Sequence, residues 1–145
     1  MNVKEVMTPN VRIADPDQSI YEIAKLMRDD GFGVMPVGEN DRLIGMITDR
    51  DICCRAVADK MNPEKTTVRD IMSEEMLYCF EDEDIDDVVD KMAKQQVRRF
   101  PVLNSNKRLV GIISLGDIAL AAQNKQVAGE AISAVSKHSE KHTQH

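Results

Sequence analysis

The chain has 145 residues, of which 42% are hydrophobic and 30% are charged, a composition typical of a globular domain with a packed core. A formal net charge of −6 and an aromatic content of 3% argue against generic binding to nucleic acid and to anionic membranes. No apolar run approaches the ~20 residues of a transmembrane helix, the N-terminus has no apolar signal core, and three cysteines without CxxC spacing favour the reducing cytoplasm.

The two halves of the sequence repeat one another. Four segments recur in the same order, with one residue inserted between the third and the fourth, as a longer hairpin loop would require. The matched segments are 6–8 with 71–73, 19–27 with 84–92, 35–37 with 100–102 and 42–52 with 108–118. The conserved order of the matches indicates an internal duplication.

The first repeat predicts the element order β-α-β-β-α. Its apolar residues near 20–27 follow the i, i+3, i+4, i+7 spacing of an amphipathic helix, for which Ser19 is a suitable N-cap. The predicted elements are a strand at 11–13, a helix at 19–29, hairpin strands at 34–38 and 42–48 that turn at 39–41, and a second helix from Asp49.

The second repeat predicts the same order of elements. Its first strand is predicted at 76–79, and Asp84 takes the place of Ser19 as the N-cap of its first helix. The link between the repeats, 58–68, is interrupted by a proline. Beyond the repeats we expect an Ala-rich helix over 121–135 and a polar, frayed end over 136–145.

We therefore divide the chain into a first repeat at 1–60, a second repeat at 61–124, and a C-terminal helix with a polar tail at 125–145. A unit of about 60 residues is marginally stable alone. We expect the two repeats to pack by pseudo-twofold symmetry into one compact module of the mixed α/β (α+β) class. Such packing would leave equivalent clefts between them.

Each predicted hairpin ends on the same pattern: a glycine, two apolar residues, a hydroxyl residue and, three positions later, an aspartate. The pattern occupies 45–51 and 111–117. A structural interpretation is a capping box, in which Thr48 or Ser114 caps a helix and the aspartate returns the bond. A functional interpretation uses the same geometry, because a helix N-terminus suits phosphate and an early aspartate can accept ribose hydroxyls. Both interpretations stay open.

The paired β-α-β-β-α repeats, the x-Pro-Val strand starts and this hairpin ending resemble a tandem pair of CBS domains, a Bateman module, over residues 3–124. The chain is similar to small stand-alone bacterial CBS-pair proteins, including those with a Thr-Asp-Arg-Asp first motif. The resemblance implies a regulatory module that binds an adenosine derivative such as AMP, ADP, ATP or S-adenosylmethionine. It also implies a homodimer, commonly a disc of four CBS domains.

The resemblance carries ligand-binding roles onto particular positions. Thr48 with Asp51, and Ser114 with Asp117, match the family's hydroxyl and ribose-binding aspartate. The other matched positions are Thr8 and Ser73 near the base or sugar, Met35-Pro36 and Phe100-Pro101 beside the adenine, and Arg98 and Arg99 beside phosphate.

The two repeats differ where phosphate is expected. Residues 33–34 are Gly-Val, whereas 98–99 are Arg-Arg, and guanidinium groups suit phosphate, so the second-repeat site is the better nucleotide candidate. The alternative is that both arginines are surface residues with buried stems. Arg50 could reach an anion at the first site, but Asp49 adds negative charge there and could pair with it. Because phosphate can bind across a pseudo-twofold axis, neither arginine of 98–99 is assigned to one site.

Other clusters have simpler interpretations. The acidic run over 81–90 predicts a solvated helix face, with a docking patch for a basic partner or a divalent cation as the alternative. Cys53 and Cys54 are predicted to be buried small hydrophobes, with a redox role as the alternative. The three histidines, His138, His142 and His145, have a spacing that could suit a metal in a helix, but we expect a frayed tail and no metal site.

No catalytic set is evident, because all histidines lie in the tail and no P-loop or GxGxxG occurs, so we expect no enzyme and no required cofactor. We expect a sensor in which ligand binding shifts the halves, or two modules of a dimer, and an unidentified effector protein reads the shift. The alternative is a ligand-free dimeric scaffold, which would not need 98–99, Ser114 and Asp117 to face one cavity. Nucleic-acid binding is a weaker third interpretation, and no membrane partner is expected.

Overall fold

The computed structural model describes residues 1–74, 77–121 and 125–136. Helices and strands alternate, which confirms the predicted mixed α/β class. The helices are α1 (Val3–Val6), α2 (Ile20–Asp30), α3 (Asp49–Asp51), α4 (Val68–Ile71), α5 (Ile85–Gln95), α6 (Leu115–Ala121) and α7 (Lys125–Ser136). The strands are β1 (Thr8–Pro9), β2 (Val34–Glu39), β3 (Arg42–Thr48), β4 (Cys79–Phe80), β5 (Arg99–Leu103) and β6 (Leu109–Ser114). The tail histidines lie outside the described residues.

The chain forms two compact units whose membership differs from the order of the repeats. The middle unit is Arg12–Met76, and the outer unit combines Met1–Val11 with Leu77–His145. The segment that opens the first repeat therefore packs with the second repeat. Likewise, helix α4, which opens the second repeat, packs in the middle unit.

The middle unit is built on the predicted hairpin. Strands β2 and β3 pair from Val34↔Thr48 to Glu39↔Arg42, and the turn places Asn40 and Asp41 at φ 55° and 63°. Positive φ at both central residues is the type I′ geometry that matches the twist of the flanking strands. The side chain of Ser19 caps α2 as predicted, and apolar residues of α2 and the hairpin form one core. The principal buried side chains are Ile20, Ile23, Met35, Val37 and Ile47.

The predicted strand at 11–13 is wrong. The chain turns at Asn10, where φ is 53°, and residues 11–13 have no strand partner. Pairing is limited to a parallel bridge between Ala14 and Val37, in which the Ala14 N–H donates to the Pro36 carbonyl at 2.9 Å. The alternating pattern of 11–13 therefore belongs to an extended connection, with Ile13 45% exposed.

The outer unit contains a four-stranded sheet in the order β1-β6-β5-β4. Strands β5 and β6 form the second hairpin, β1 pairs antiparallel with β6, and β4 pairs parallel with β5. The predicted strand at 76–79 is displaced, because the observed strand is Cys79–Phe80 and residue 76 lies outside the described residues. Asp84 caps α5 as predicted, accepting a bond from the Asp86 N–H.

Helix α7 completes the core of the outer unit. Its Val135 is buried in the same cluster as Phe100, Val88 and Met92. The sequence predicts this helix over 121–135, whereas residue 121 ends α6, residues 122–124 lie outside the described part, and α7 runs over Lys125–Ser136. Among the described residues, no helix has both the length and the apolar character needed to cross a bilayer.

The second helix of the middle unit widens after its first turn. Helix α3 begins after Thr48 as predicted and continues over Ile52–Val57 with i→i+5 bonds, such as that from the Ala58 N–H to the Cys53 carbonyl at 3.1 Å. Ala56 is the buried residue of this segment, and Cys53 and Cys54 are exposed. The prediction that these two cysteines are buried is therefore wrong.

We expect the native protein to expose two reactive thiols out of three. Cys79 is fully buried, and burial, reinforced by the negative charge of Glu83, raises the pKa of its thiol to about 12. The thiolate is the reactive form, so Cys79 stays inert at pH 8 while the exposed Cys53 and Cys54 react. Titration with a chromogenic disulfide reagent should count two thiols in buffer and three in guanidinium. A count of three in the native state would contradict the buried position of Cys79.

Candidate functional site

Each unit ends its hairpin in a reciprocal capping box. In the middle unit, the Asp51 N–H donates to Thr48 Oγ1 at 3.0 Å, and the Thr48 N–H donates to Asp51 Oδ2 at 2.9 Å. In the outer unit, the Asp117 N–H donates to Ser114 Oγ, and the Ser114 N–H donates to Asp117 Oδ2, both at 3.0 Å. The structural interpretation of the motif is thus realised in both copies, with one carboxylate oxygen of each aspartate committed to it.

Thr8 and Ser73, the hydroxyl residues near the start of each repeat, each lie in the unit that contains the hairpin of the other repeat. In the outer unit, Thr8 pairs with Ile112 of β6, two residues before Ser114. In the middle unit, Ser73 and Met46 exchange two backbone bonds of 2.8 and 2.9 Å, two residues before Thr48. Thr8 therefore accompanies the second-repeat motif and Ser73 accompanies the first, an exchange that repeat order alone does not reveal.

Two glycines make this close approach possible. A Cβ atom at Gly111 would lie 2.7 Å from the Thr8 carbonyl oxygen, and one at Gly45 would lie 2.6 Å from the Ser73 carbonyl oxygen. A real Cβ contact is not that short, so the backbones of Thr8 and Ser73 reach these strands only over glycine. The glycine of the sequence motif is thus explained by packing of the hydroxyl-bearing segment.

The residues matched to the adenine wall are buried within their units. Pro36 lies opposite Met46, and Pro101 lies opposite Ile112, so each proline shares a cross-strand row with Ser73 or Thr8. The neighbouring side chains of Met35 and Phe100 are 1% and 2% exposed. Met35 and Phe100 are therefore core residues, each next in sequence to the proline of its cross-strand row.

The first residue of each second helix, and the residue whose carbonyl it bonds, differ between the two units. In the middle unit, the Asp49 N–H donates to the Gly33 carbonyl at 2.9 Å, and the Asp49 carboxylate accepts the Arg50 N–H at 2.8 Å. In the outer unit, the matched Leu115 N–H donates to the Arg98 carbonyl at 2.7 Å. A Gly33–Asp49 pair is thus replaced by an Arg98–Leu115 pair, so the acidic side chain at position 49 has an apolar counterpart and the segment that bonds to the helix start carries an arginine.

The three candidate arginines have different surroundings. Arg98 is half-buried, and one of its Nη atoms donates to Ser136 Oγ of α7 at 3.4 Å. Arg99 is half-buried and lies opposite Ser114 in the β5–β6 register. Arg50 is exposed in the first turn of α3. Arg98 and Arg99 thus lie in the outer unit with Thr8, Ser114 and Asp117, whereas Arg50 lies in the middle unit with Ser73 and Asp51.

Two further basic residues contact the candidate segments. Lys91 Nζ lies 3.0 Å from both carboxylate oxygens of Glu83, 3.4 Å from the Tyr78 carbonyl oxygen and 5.9 Å from the centroid of the Phe100 ring. Arg55 contacts the carbonyls that precede Ser73. Lys91 could have been found in the sequence, because the matched position of the first repeat is Leu26. Arg55 could have been found in the same way, because its matched position in the second repeat is Ala121.

Within residues 1–74, 77–121 and 125–136, no group of three or more His, Cys, Asp or Glu side chains is arranged to hold a metal ion. The acidic run over 81–90 is used in part for local structure. Glu83 pairs with Lys91 and accepts the Phe80 N–H, and Asp84 caps α5.

The family model of the CBS domain matches this chain twice, at residues 3–56 and 68–124. The CBS domain-containing protein YhcV of Bacillus subtilis is 38% identical over 135 residues, which cover 93% of this chain and 95% of YhcV. Hypoxic Response Protein I, solved with two coordinated zinc ions, is 31% identical with a TM-score of 0.76, over 84% of this chain and 99% of that one. The CBS domain pair of MJ0100, solved with 5′-methylthioadenosine and S-adenosyl-L-methionine, is 29% identical with a TM-score of 0.73, over 90% and 98%.

Proposed function

Because the chain belongs to the CBS-domain family and carries two copies of that domain, we propose that it is a regulatory module that binds an adenosine derivative. The ligand is contacted in the outer unit by Ser114, Asp117 and Thr8, with Arg98 and Arg99 toward its phosphate. The middle unit offers Thr48, Asp51 and Ser73, with Arg50 as its basic residue. A solved relative at 29% identity that holds 5′-methylthioadenosine and S-adenosyl-L-methionine supports this ligand class.

The observation that carries the proposal is the geometry of the Ser114–Asp117 box beside Arg98. Asp117 commits Oδ2 to the Ser114 N–H at 3.0 Å, and a carboxylate has about four acceptor sites, so acceptor capacity is left for two vicinal ribose hydroxyls. The capping box holds the carboxylate in one orientation before the ligand arrives. Such preorganisation lowers the entropic cost of binding.

The charge at the helix start favours the outer unit for phosphate-bearing ligands. In the outer unit, the carbonyl of Arg98 accepts the Leu115 N–H at the start of α6. In the middle unit, the residue that matches Leu115 is Asp49. An anion at the start of α3 would meet the carboxylate of Asp49, and an anion near Leu115 would meet a guanidinium. We therefore propose that nucleotides such as AMP, ADP or ATP bind more tightly in the outer unit than in the middle unit. A nucleoside without phosphate suits either unit.

As a regulatory module, the protein transmits binding through a change of arrangement that an effector protein reads. Such a signal requires different ligand affinities in the two arrangements. No catalytic role is assigned to any residue. A homodimer in the cytoplasm is the assembly and location that we propose for this module.

A ligand-free dimeric scaffold is the second candidate. Its support is that these polar side chains have partners within the chain: both aspartates serve capping boxes, and Arg98 donates to Ser136. In that case the motif residues act only in folding.

Thermal unfolding against a ligand panel separates the two functions. We expect AMP, ADP, ATP, S-adenosylmethionine or 5′-methylthioadenosine at 100 times its Kd to add about 2.7 kcal/mol, a shift of several degrees. Asp117→Ala should remove most of the nucleotide-induced shift, and Asp51→Ala should retain most of it, each variant being compared with its own ligand-free melting temperature. A folded parent protein that shifts with none of these ligands would favour the scaffold.

A further inference from the structure

Arg55 contacts both polar parts of the middle unit's candidate site. One of its Nη atoms donates to the Ile71 carbonyl oxygen at 3.0 Å and lies 3.4 Å from that of Met72. Its Nε lies 3.9 Å from Asp51 Oδ1, four residues earlier on the same helical segment. The guanidinium thus joins the segment that ends in Ser73 to the carboxylate of Asp51.

The contacts with Ile71 and Met72 fix how the chain leaves α4. The last carbonyls of a helix have no partner within it, and the negative end of the helix favours a cation. Ser73 follows directly and exchanges two backbone bonds with Met46. The end of α4 is therefore bonded to Arg55, and the Ser73 that follows it is bonded to β3.

The contact with Asp51 fixes the orientation of the carboxylate. Asp51 is mostly buried, at 15% side-chain exposure, and its Oδ2 accepts the Thr48 N–H while its Oδ1 faces Arg55. With both oxygens directed, rotation about the Cβ–Cγ bond is restrained. The lone pairs that a ribose would use are held in place by the same restraint.

The outer unit has no such residue at the matched position. There the internal repeat places Ala121, which ends α6 and carries no side-chain donor. Asp117 and Ala121 have the same four-residue spacing as Asp51 and Arg55. The two units therefore differ in how the capping aspartate is tied to the preceding hydroxyl segment.

We propose that Arg55 is a positioning residue of the middle unit's ligand site: it holds Ser73 and the Asp51 carboxylate at a fixed separation, so that both meet one nucleoside. This inference rests on the proposed function. It assigns Arg55 no contact with the ligand, so its removal weakens charged and uncharged adenosine derivatives equally.

Calorimetric titration of the full chain with AMP and with 5′-methylthioadenosine tests this role. Asp117→Asn is present in every sample to isolate the middle unit. We expect Arg55→Ala to weaken both ligands by about 10-fold, the loss of one charged hydrogen-bonding group, and Arg55→Lys to recover part of the affinity. A loss confined to AMP would overturn the proposal, because it would make Arg55 a phosphate ligand, and unchanged affinity would overturn it as well.

Arg69→Ala is the matched control. It removes the same charge from the same unit, but the guanidinium of Arg69 contacts Glu39 at 2.8 Å and Asp17 at 3.9 Å. We expect both ligands to bind this variant as they bind the parent. An equal loss in Arg69→Ala would show a general charge effect and overturn the assignment to Arg55.

Hydrogen exchange of the ligand-free protein tests the anchor without any ligand. The Ser73 N–H donates to the Met46 carbonyl at 2.8 Å, and we expect Arg55→Ala to accelerate its exchange by about 10-fold, while Arg69→Ala leaves it unchanged. Unchanged exchange in Arg55→Ala would overturn the proposal. If the parent binds neither ligand, the proposed function fails, and the exchange rate alone still decides whether Arg55 holds Ser73.

Discussion

Gly111→Ala should cost about 3 kcal/mol of unfolding free energy, a large fraction of the ~5–15 kcal/mol that holds a typical domain. The added Cβ would lie 2.7 Å from the Thr8 carbonyl oxygen and 2.9 Å from Met7 Sδ. The thioether could move, but the Thr8 backbone is paired with Ile112. Relief of the clash therefore requires β1 to leave β6, and Thr8 leaves the candidate ligand site with it.

Gly45→Ala should have a similar effect in the middle unit, where the Cβ would lie 2.6 Å from the Ser73 carbonyl oxygen. The matched control is Gly129→Ala in α7, because nothing lies within 4 Å of a Cβ there and alanine is the better helix former by up to about 1 kcal/mol. Urea unfolding of the three variants measures the difference. Equal stability of Gly111→Ala and the parent would contradict the close approach of Thr8 to β6.

Arg98→Ala should weaken AMP by about 10- to 100-fold and leave 5′-methylthioadenosine nearly unchanged, because a charge-assisted bond to phosphate contributes ~1.5–3 kcal/mol. In the ligand-free protein, Arg98 donates to Ser136 Oγ at 3.4 Å. A phosphate oxygen is a stronger acceptor than a neutral hydroxyl, so we expect the guanidinium to exchange Ser136 for the phosphate when AMP binds. Calorimetric titration of each variant with the two ligands gives the comparison.

Ser136→Ala supplies the reciprocal control. It removes the competing acceptor while keeping Arg98, so AMP should bind as tightly as to the parent or several-fold more tightly. If Arg98→Ala weakened the two ligands equally, Arg98 would act through the fold, and its assignment to phosphate would be wrong.

Local sequence signals predicted the parts of the fold that depend on nearby residues. The hairpin, its turn at Asn40-Asp41 and the caps Ser19 and Asp84 are confirmed, because strand alternation, turn chemistry and capping act within a few residues. The prediction of a strand at 11–13 is wrong because a strand also needs a partner from another segment of the chain. Its alternating pattern was present, but Asn10 turns the chain and no partner strand lies beside it.

The composition of the candidate site depended on contacts between distant segments. Repeat order groups Thr8 with Thr48, whereas the fold pairs Thr8 with Ile112 and Ser73 with Met46. The contacts of Arg55 with the Ile71 and Met72 carbonyls depend on the fold and leave no mark in the sequence, whereas its four-residue spacing from Asp51 does. Cys53 and Cys54 are predicted to be buried because cysteine usually behaves as a small hydrophobe, whereas both are exposed and Ala56 is the buried residue of their segment.

The sequence shows the charge difference between the two units, but it does not show where the Asp49 side chain lies. Residues 33–34 and 98–99 differ plainly as Gly-Val and Arg-Arg. The structure adds that the Asp49 side chain lies against Gly33, where a Cβ would be 2.7 Å from Asp49 Oδ2. The acidic side chain at the start of α3, and Arg98 beside the start of α6, are the reasons why we propose opposite preferences for anions in the two units.

Calorimetric titration of AMP into the full-length parent protein, beside Asp117→Asn, tests the central claim most directly. The asparagine keeps an acceptor for the Ser114 N–H, which supports folding, but it replaces one carboxylate oxygen by a donor that opposes a ribose hydroxyl. We predict saturable binding to the parent and a loss of at least about 10-fold in Asp117→Asn, as expected for one charged hydrogen bond. Binding to Asp117→Asn with the parent's affinity, or no binding to a folded parent, would contradict an adenosine site at Asp117.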